Sequence, residues 1–154
     1  MRLPGKLRAA AALFLFSSTV AACTYGAAAA PEMTVYATPT CGCCKAWVEH
    51  MRESGFSVQV VYQDDLSAVK AQHKVPEELR SCHLGVVDGY AFEGHVPADV
   101  VKRALLERPA VLGFAVPGMP VGSPGMEMPS GEVQPYEVYS YDEAGPRAVY
   151  DIRP

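Results

Sequence analysis

Apolar and polar positions divide the chain into short elements. Met33 to Ala37 (MTVYA) is a β-rich run that stops at the turn Thr38-Pro39-Thr40. Beyond it Cys44, Trp47, Val48 and Met51 recur at i, i+3, i+4 and i+7, the apolar stripe of an amphipathic helix, and Ser54-Gly55 ends that helix. FSVQVVY (56–62) has strong β propensity. Asp64 and Asp65 open a second helical stretch through about His73, acids being favourable at a helix start. Pro76 interrupts it, and EELRS adds a short helical turn. In HLGVVDGYAFEGH (83–95) two apolar runs flank Asp88-Gly89, the pair that suits a type I′ hairpin turn. Pro97 stands where a first helical residue would, and Val100, Val101, Ala104 and Leu105 give the next helix its buried face, up to Arg108-Pro109.

The resulting order, β-α-β-α-β-β-α with a C-x-x-C pair at the first strand-to-helix junction, resembles the thioredoxin fold: α/β, a central mixed sheet flanked by helices. Residues 110–134 carry Gly and Pro too often for a regular helix yet are too apolar for a disordered tail, and a long irregular segment of this kind in a compact domain is usually functional or disordered. YEVYSYD (136–142) and RAVYDI (147–152) read as an additional C-terminal β-hairpin.

The first 22 residues do not read as fold. Arg2, Lys6 and Arg8 precede an apolar run, Ala9 to Ala22, too short for an ordinary membrane span, which is the pattern of an export signal. VAAC (20–23) resembles a lipobox, which would make Cys23 a lipidated N-terminus; Ala27 to Ala30 offers a competing cleavage site and plain secretion. Either cut places the mature chain in the periplasm or cell envelope, with the membrane reached only through a lipid at Cys23. The expected layout is leader 1–22, tether 23–32 and one domain 33–154. Loss of the three leader cations takes the formal charge from −4 to −7, and an acidic surface without a basic cluster argues against nucleic acid as a partner. About 130 residues bury a core without help from disulfides.

Chemistry concentrates in TPTCGCCKAW (38–47), where Cys43 occupies a spacer position between Cys41 and Cys44. Thiols at a helix N-terminus ionise readily, and the thiolate is both nucleophile and metal ligand. A dithiol oxidoreductase has no use for a third thiol, whereas several thiolates select a soft ion such as Cu(I), and bridging sulfurs can hold more than one. In a thioredoxin-like architecture the loop before the third strand faces the same helix end, which brings Cys82 and His83 to the three thiols. Met119, Met126 and Met128, on the Gly/Pro-rich segment, are candidate thioether ligands, set against the ordinary use of Met to fill apolar gaps. Trp47 and Met51 read as core. His50, His73 and His95 read as surface or structural, although His95 could be drawn near the site.

CGCCKAWVEHM, SCHLGVVDGYAFEGHVP and VPGMPVGSPGMEMP, in that order behind an export leader, resemble a bacterial family of unknown function that includes the copper-resistance protein CopG. The likeness runs from about Met33 to Ile152. It implies a thioredoxin-like fold, an envelope location and a multinuclear copper cluster active between Cu(I) and Cu(II). Carried over position by position, the ligands are Cys41, Cys43, Cys44, Cys82 and His83. The function expected is copper binding in copper resistance, with copper ions and other envelope copper-handling proteins as partners. Whether the chain is an enzyme stays open, a copper oxidoreductase being the catalytic form of this reading. The competing readings are a thiol-disulfide oxidoreductase using Cys41 and Cys44, and a zinc-stabilised module.

Overall fold

The computed structural model describes residues 29–154. The leader, Cys23 and most of the tether lie outside the described residues. The elements follow the anticipated order: β1 (Glu32–Ala37), α1 (Gly42–Glu53), β2 (Ser57–Tyr62), α2 (Ser67–Gln72), a 3-10 turn (Glu77–Leu79), β3 (His83–Val87), β4 (Tyr90–Glu93), α3 (Ala98–Glu107), β5 (Gly113–Ala115), β6 (Tyr136–Asp142) and β7 (Gly145–Arg153). They form one seven-stranded mixed sheet in the order β2-β1-β3-β4-β5-β6-β7. β1 runs parallel to β2 and antiparallel to β3, and β4 is antiparallel to β3. These directions agree with the α/β expectation.

Strand alternation assigns each residue to a face. Met33 and Val35 of β1, Val87 of β3 and Phe92 of β4 pack with Trp47, Val48 and Met51 of α1 and with Val100, Val101 and Ala104 of α3. Leu84 of β3 and Ala91 of β4 point the other way, against Leu66, Val69, Val75 and Leu79. Thus α1 and α3 cover one face and α2 covers the other. The same alternation sends His83 to the α1 face and Glu93 to the α2 face.

Three details depart from the sequence reading. α2 starts at Ser67, later than expected, because the Asp65 carboxylate accepts the Ser67 N–H at 2.8 Å and turns the chain just ahead of the helix. Pro97 is the residue before α3 and not its first turn. The loose segment after Pro109 contains a strand, β5, parallel to β4, through which the C-terminal hairpin joins the main sheet. Only three residues long and buried on both faces, β5 has no period to display. The hairpin turn is as read, with Asp88 at φ 52° and Gly89 at φ 86°. Among the described residues no helix is long and apolar enough to cross a membrane.

Trp47 is the wedge between α1 and the sheet. It is fully buried, its indole Nε1 donates to the Val96 carbonyl at 2.9 Å, and its ring fits only because residue 85 has no side chain. A Cβ on Gly85 would stand 2.8 Å from the indole. Gly85→Ala is therefore expected to lower unfolding free energy by about 1 to 3 kcal/mol through overpacking. Urea denaturation checks this, and an unchanged midpoint would contradict the wedge.

Candidate metal centre

Three chain segments meet at the N-terminal end of α1. The first is the helix start itself. Cys41 is its N-cap, with Sγ accepting the Cys44 N–H at 3.2 Å. Cys41 is partly exposed, Cys44 is buried, and the two are joined as a disulfide. In this form Cys41 and Cys44 are therefore not free ligands, and of the three cysteines of the motif only Cys43 is. The cause is local, since the C-x-x-C spacing on a helix start holds their Cα atoms 5.3 Å apart, within bridging range. Cys43 remains a thiol, 3.4 Å from Cys41 Sγ.

The second segment is Ser81-Cys82-His83, leading into β3. A buried ion pair grips it from the α2 face. Lys70 Nζ donates to the Ser81 carbonyl at 2.5 Å and to Glu93 Oε1 at 2.6 Å, and the same carboxylate oxygen accepts the Ser81 N–H at 2.5 Å. Both peptide groups of the residue before Cys82 are thereby fixed. Cys82 Sγ then stands 3.8 Å from Cys43 Sγ, and Cys44 Sγ lies 3.7 Å from the Cys82 carbonyl. Burial, aided by the nearby Cys43, pushes the Cys82 thiol up to about 12, so the unmetallated thiol keeps its proton. Glu93 is also raised from the ordinary carboxyl range, because burial outweighs the Lys70 charge beside it.

His83 is completely buried against the Trp47 ring, centroids 4.5 Å apart, with Nδ1 3.3 Å from Cys82 Sγ and Nε2 without a protein partner. Burial foremost, then the neighbouring His95 and Lys70, holds its pKa well below 6.5, so the ring is neutral. A neutral imidazole is the form that binds metals.

The third segment leaves β4. His95 is buried, and its Nε2 reaches Cys82 Sγ at 3.2 Å. The sequence reading placed it among the surface or structural histidines while allowing that it could be drawn near the site. The signal that would have found it is the hairpin register: β3 and β4 pair antiparallel with Leu84 opposite Glu93, which returns His95 beside Cys82.

The Gly/Pro-rich loop closes over these residues with its backbone. The Ser81 hydroxyl donates to the Gly118 carbonyl, the Pro124 carbonyl lies 2.8 Å from His95 Nδ1, and Gly125 packs on α1. At Gly125 (φ +86°) a Cβ would meet the Cys43 carbonyl at 2.7 Å and the Trp47 nitrogen at 2.8 Å. On the same loop Met119 and Met128 are about half exposed and Met126 is partly buried. His50 is structural, its Nε2 accepting the Ala98 N–H at the start of α3. Beside Cys82 an open groove of about 390 Å³, lined by Asp64, Asp65, Lys70 and Arg80 among others, leads to solvent.

The ligand atoms of Cys41, Cys43, Cys44 and Cys82 all lie within 4.8 Å of one another, and so do those of Cys82, His83 and His95. Five residues expected to converge therefore do so, with His95 added. Such a donor set, sulfur-rich with neutral imidazoles, suits soft and borderline ions.

Comparison with known proteins agrees with this chemistry. A family model described as a protein of unknown function, DUF411, matches residues 79–126, which include Cys82, His83, His95 and the covering loop. Two solved structures described as copper resistance protein CopG, forms 1 and 2, are 44% and 42% identical to this chain, with TM-scores of 0.74 and 0.76. The matches cover 80% and 81% of this chain and 97% and 99% of those chains. No curated protein matches it.

Two measurements test the supports of the site. Lys70→Met leaves Glu93 buried and unpaired, which is expected to cost about 3 to 5 kcal/mol in chemical denaturation; a loss under about 1 kcal/mol would show that the grip on Ser81 comes from elsewhere. Because His83 is neutral when folded but takes a proton below about 6.5 when unfolded, stability should fall as pH drops through that value, by up to about 1.4 kcal/mol per pH unit for one histidine. Unfolding free energies between pH 7 and about 5.5 should flatten in His83→Gln; an equal slope in both proteins would refute the assignment.

Proposed function

The chain belongs to the CopG-like copper-resistance family, and from that premise we propose that it binds copper in the bacterial envelope through Cys41, Cys43, Cys44, Cys82 and His83. The observation that carries the reading is the meeting of four cysteine sulfurs, from two segments about forty residues apart in sequence, beside a neutral buried imidazole. Thiolates select Cu(I), and sulfurs this close can each bridge two ions, so the reduced site holds a multinuclear cluster.

The disulfide supplies redox chemistry to the same place. Closing Cys41–Cys44 from two thiols releases two electrons and two protons, the number of electrons that converts two Cu(II) to two Cu(I). Reopening it requires the reverse. Interconversion of copper oxidation states thus accompanies a change in the number of sulfurs free to bind. The export-signal pattern of residues 1–22 supports a site of action in the periplasm or, with Cys23 lipidated, at the membrane surface, where other copper-handling proteins would exchange ions with it.

The bridge also favours a second reading, disulfide exchange with Cys41 as the exposed nucleophile and Cys44 as the resolving thiol. The free thiols separate the two. Anaerobic titration of the reduced protein with Cu(I), followed by metal analysis, should give more than one ion per chain, with a clear loss in Cys43→Ser. No uptake, or uptake indifferent to Cys43→Ser, would overturn the copper reading. Insulin reduction undiminished in a Cys43→Ser, Cys82→Ser double variant would support the exchange reading.

A further inference from the structure

We propose that His95 is a copper ligand, completing with Cys82 and His83 a one-sulfur, two-nitrogen site that stays open to a single ion while the Cys41–Cys44 bridge is closed. The inference rests on the copper reading above and adds a residue and a state to it.

Bridged, Cys41 and Cys44 leave the sulfur-rich group, and of its four members only Cys43 and Cys82 remain as thiols. The group Cys82, His83 and His95 loses nothing. Donors sharing one ion lie about 2.0 to 2.3 Å from it and so no more than about twice that distance from one another. Cys82 Sγ stands 3.3 Å from His83 Nδ1 and 3.2 Å from His95 Nε2, and the two rings meet edge to face with centroids 4.9 Å apart.

His95 is also prepared for the role. The Pro124 carbonyl can only accept, so His95 Nδ1, 2.8 Å away, carries the ring proton. In the neutral ring this leaves the lone pair on Nε2, the nitrogen that faces Cys82. A carbonyl that fixes the tautomer in this manner is the usual outer partner of a metal-binding histidine. His83 is wholly buried and turns Nδ1 to the same sulfur at 3.3 Å, so both imidazoles meet Cys82 from inside the fold. Cys43 Sγ, 3.8 Å from Cys82 Sγ, borders the site and offers a fourth donor. The loop bearing Pro124 is thereby tied to ion binding through its backbone.

The test uses the full mature chain with the bridge intact, verified by intact mass after alkylation, and no thiol reductant. Cu(I) is titrated anaerobically against a chromophoric Cu(I) chelator, and Cu K-edge X-ray absorption counts the nitrogen and sulfur neighbours. The expected result is one Cu(I) per chain with two nitrogen neighbours; His95→Gln should weaken binding by about 10 to 100-fold or more and remove one nitrogen. No Cu(I) bound to the bridged protein, a sulfur-only shell, or an unchanged affinity and nitrogen count in His95→Gln would each overturn the proposal. Should His95→Gln fail to fold, the nitrogen count of the unsubstituted protein decides alone. The reduced protein titrated in parallel separates the two claims: uptake there with none in the bridged form sinks only this inference, and no uptake in the reduced form sinks the multinuclear reading.

Discussion

The site depends on a buried ion pair that touches no sulfur. Lys70 and Glu93 come from α2 and β4, on the face of the sheet opposite α1, and both are almost fully buried. Removing two charges from water is costly, and such pairs are often no better for stability than apolar residues of the same volume. What this pair provides is position. Its atoms take up both the N–H and the carbonyl of Ser81, and Cys82 is the next residue. The peptide is thus held from one side of the sheet while its neighbour's thiol is presented to the other.

From that fixed point the geometry of the centre follows by alternation along β3. His83, Gly85 and Val87 share the α1 face. His83 meets the Trp47 ring, and the bare Gly85 lets that ring approach, which sets how closely the helix start sits over the strand. The helix start carries the remaining cysteines. One tryptophan therefore joins the packing of the core to the spacing of the donors, since its other contact, to the Val96 carbonyl, restrains the residue next to His95.

Much of this was legible in the residues. The stripe Cys44, Trp47, Val48 and Met51 is the buried face of α1, and Asp88-Gly89 makes the turn that returns β4 along β3. The convergence of Cys82 and His83 on the CGCC turn followed from element order alone. The Cys41–Cys44 bridge answers to no need of the core, which about 130 residues bury without disulfides; the pairing reflects proximity on a helix start. Lys70 and Glu93 were invisible for a different reason, and His95 was read only as a residue that could be drawn near the site: all three act through strand register or across the sheet, which local spacing does not display. β5, buried on both faces, offered no pattern at all.

Cys82 belongs to both donor groups, and this bears on why a third thiol stands between Cys41 and Cys44. With only the C-x-x-C pair, the bridged form would leave Cys82 as the one thiol of the group, with imidazoles on one side and no second sulfur donor. Cys43 lies 3.4 Å from Cys41 Sγ and 3.8 Å from Cys82 Sγ, so it adjoins the part of the site that oxidation closes and the part that it spares. Its spacer position on the first helical turn gives it that reach. A thiol so placed links the bridged pair to Cys82 sulfur by sulfur, which a two-cysteine motif on the same helix could not.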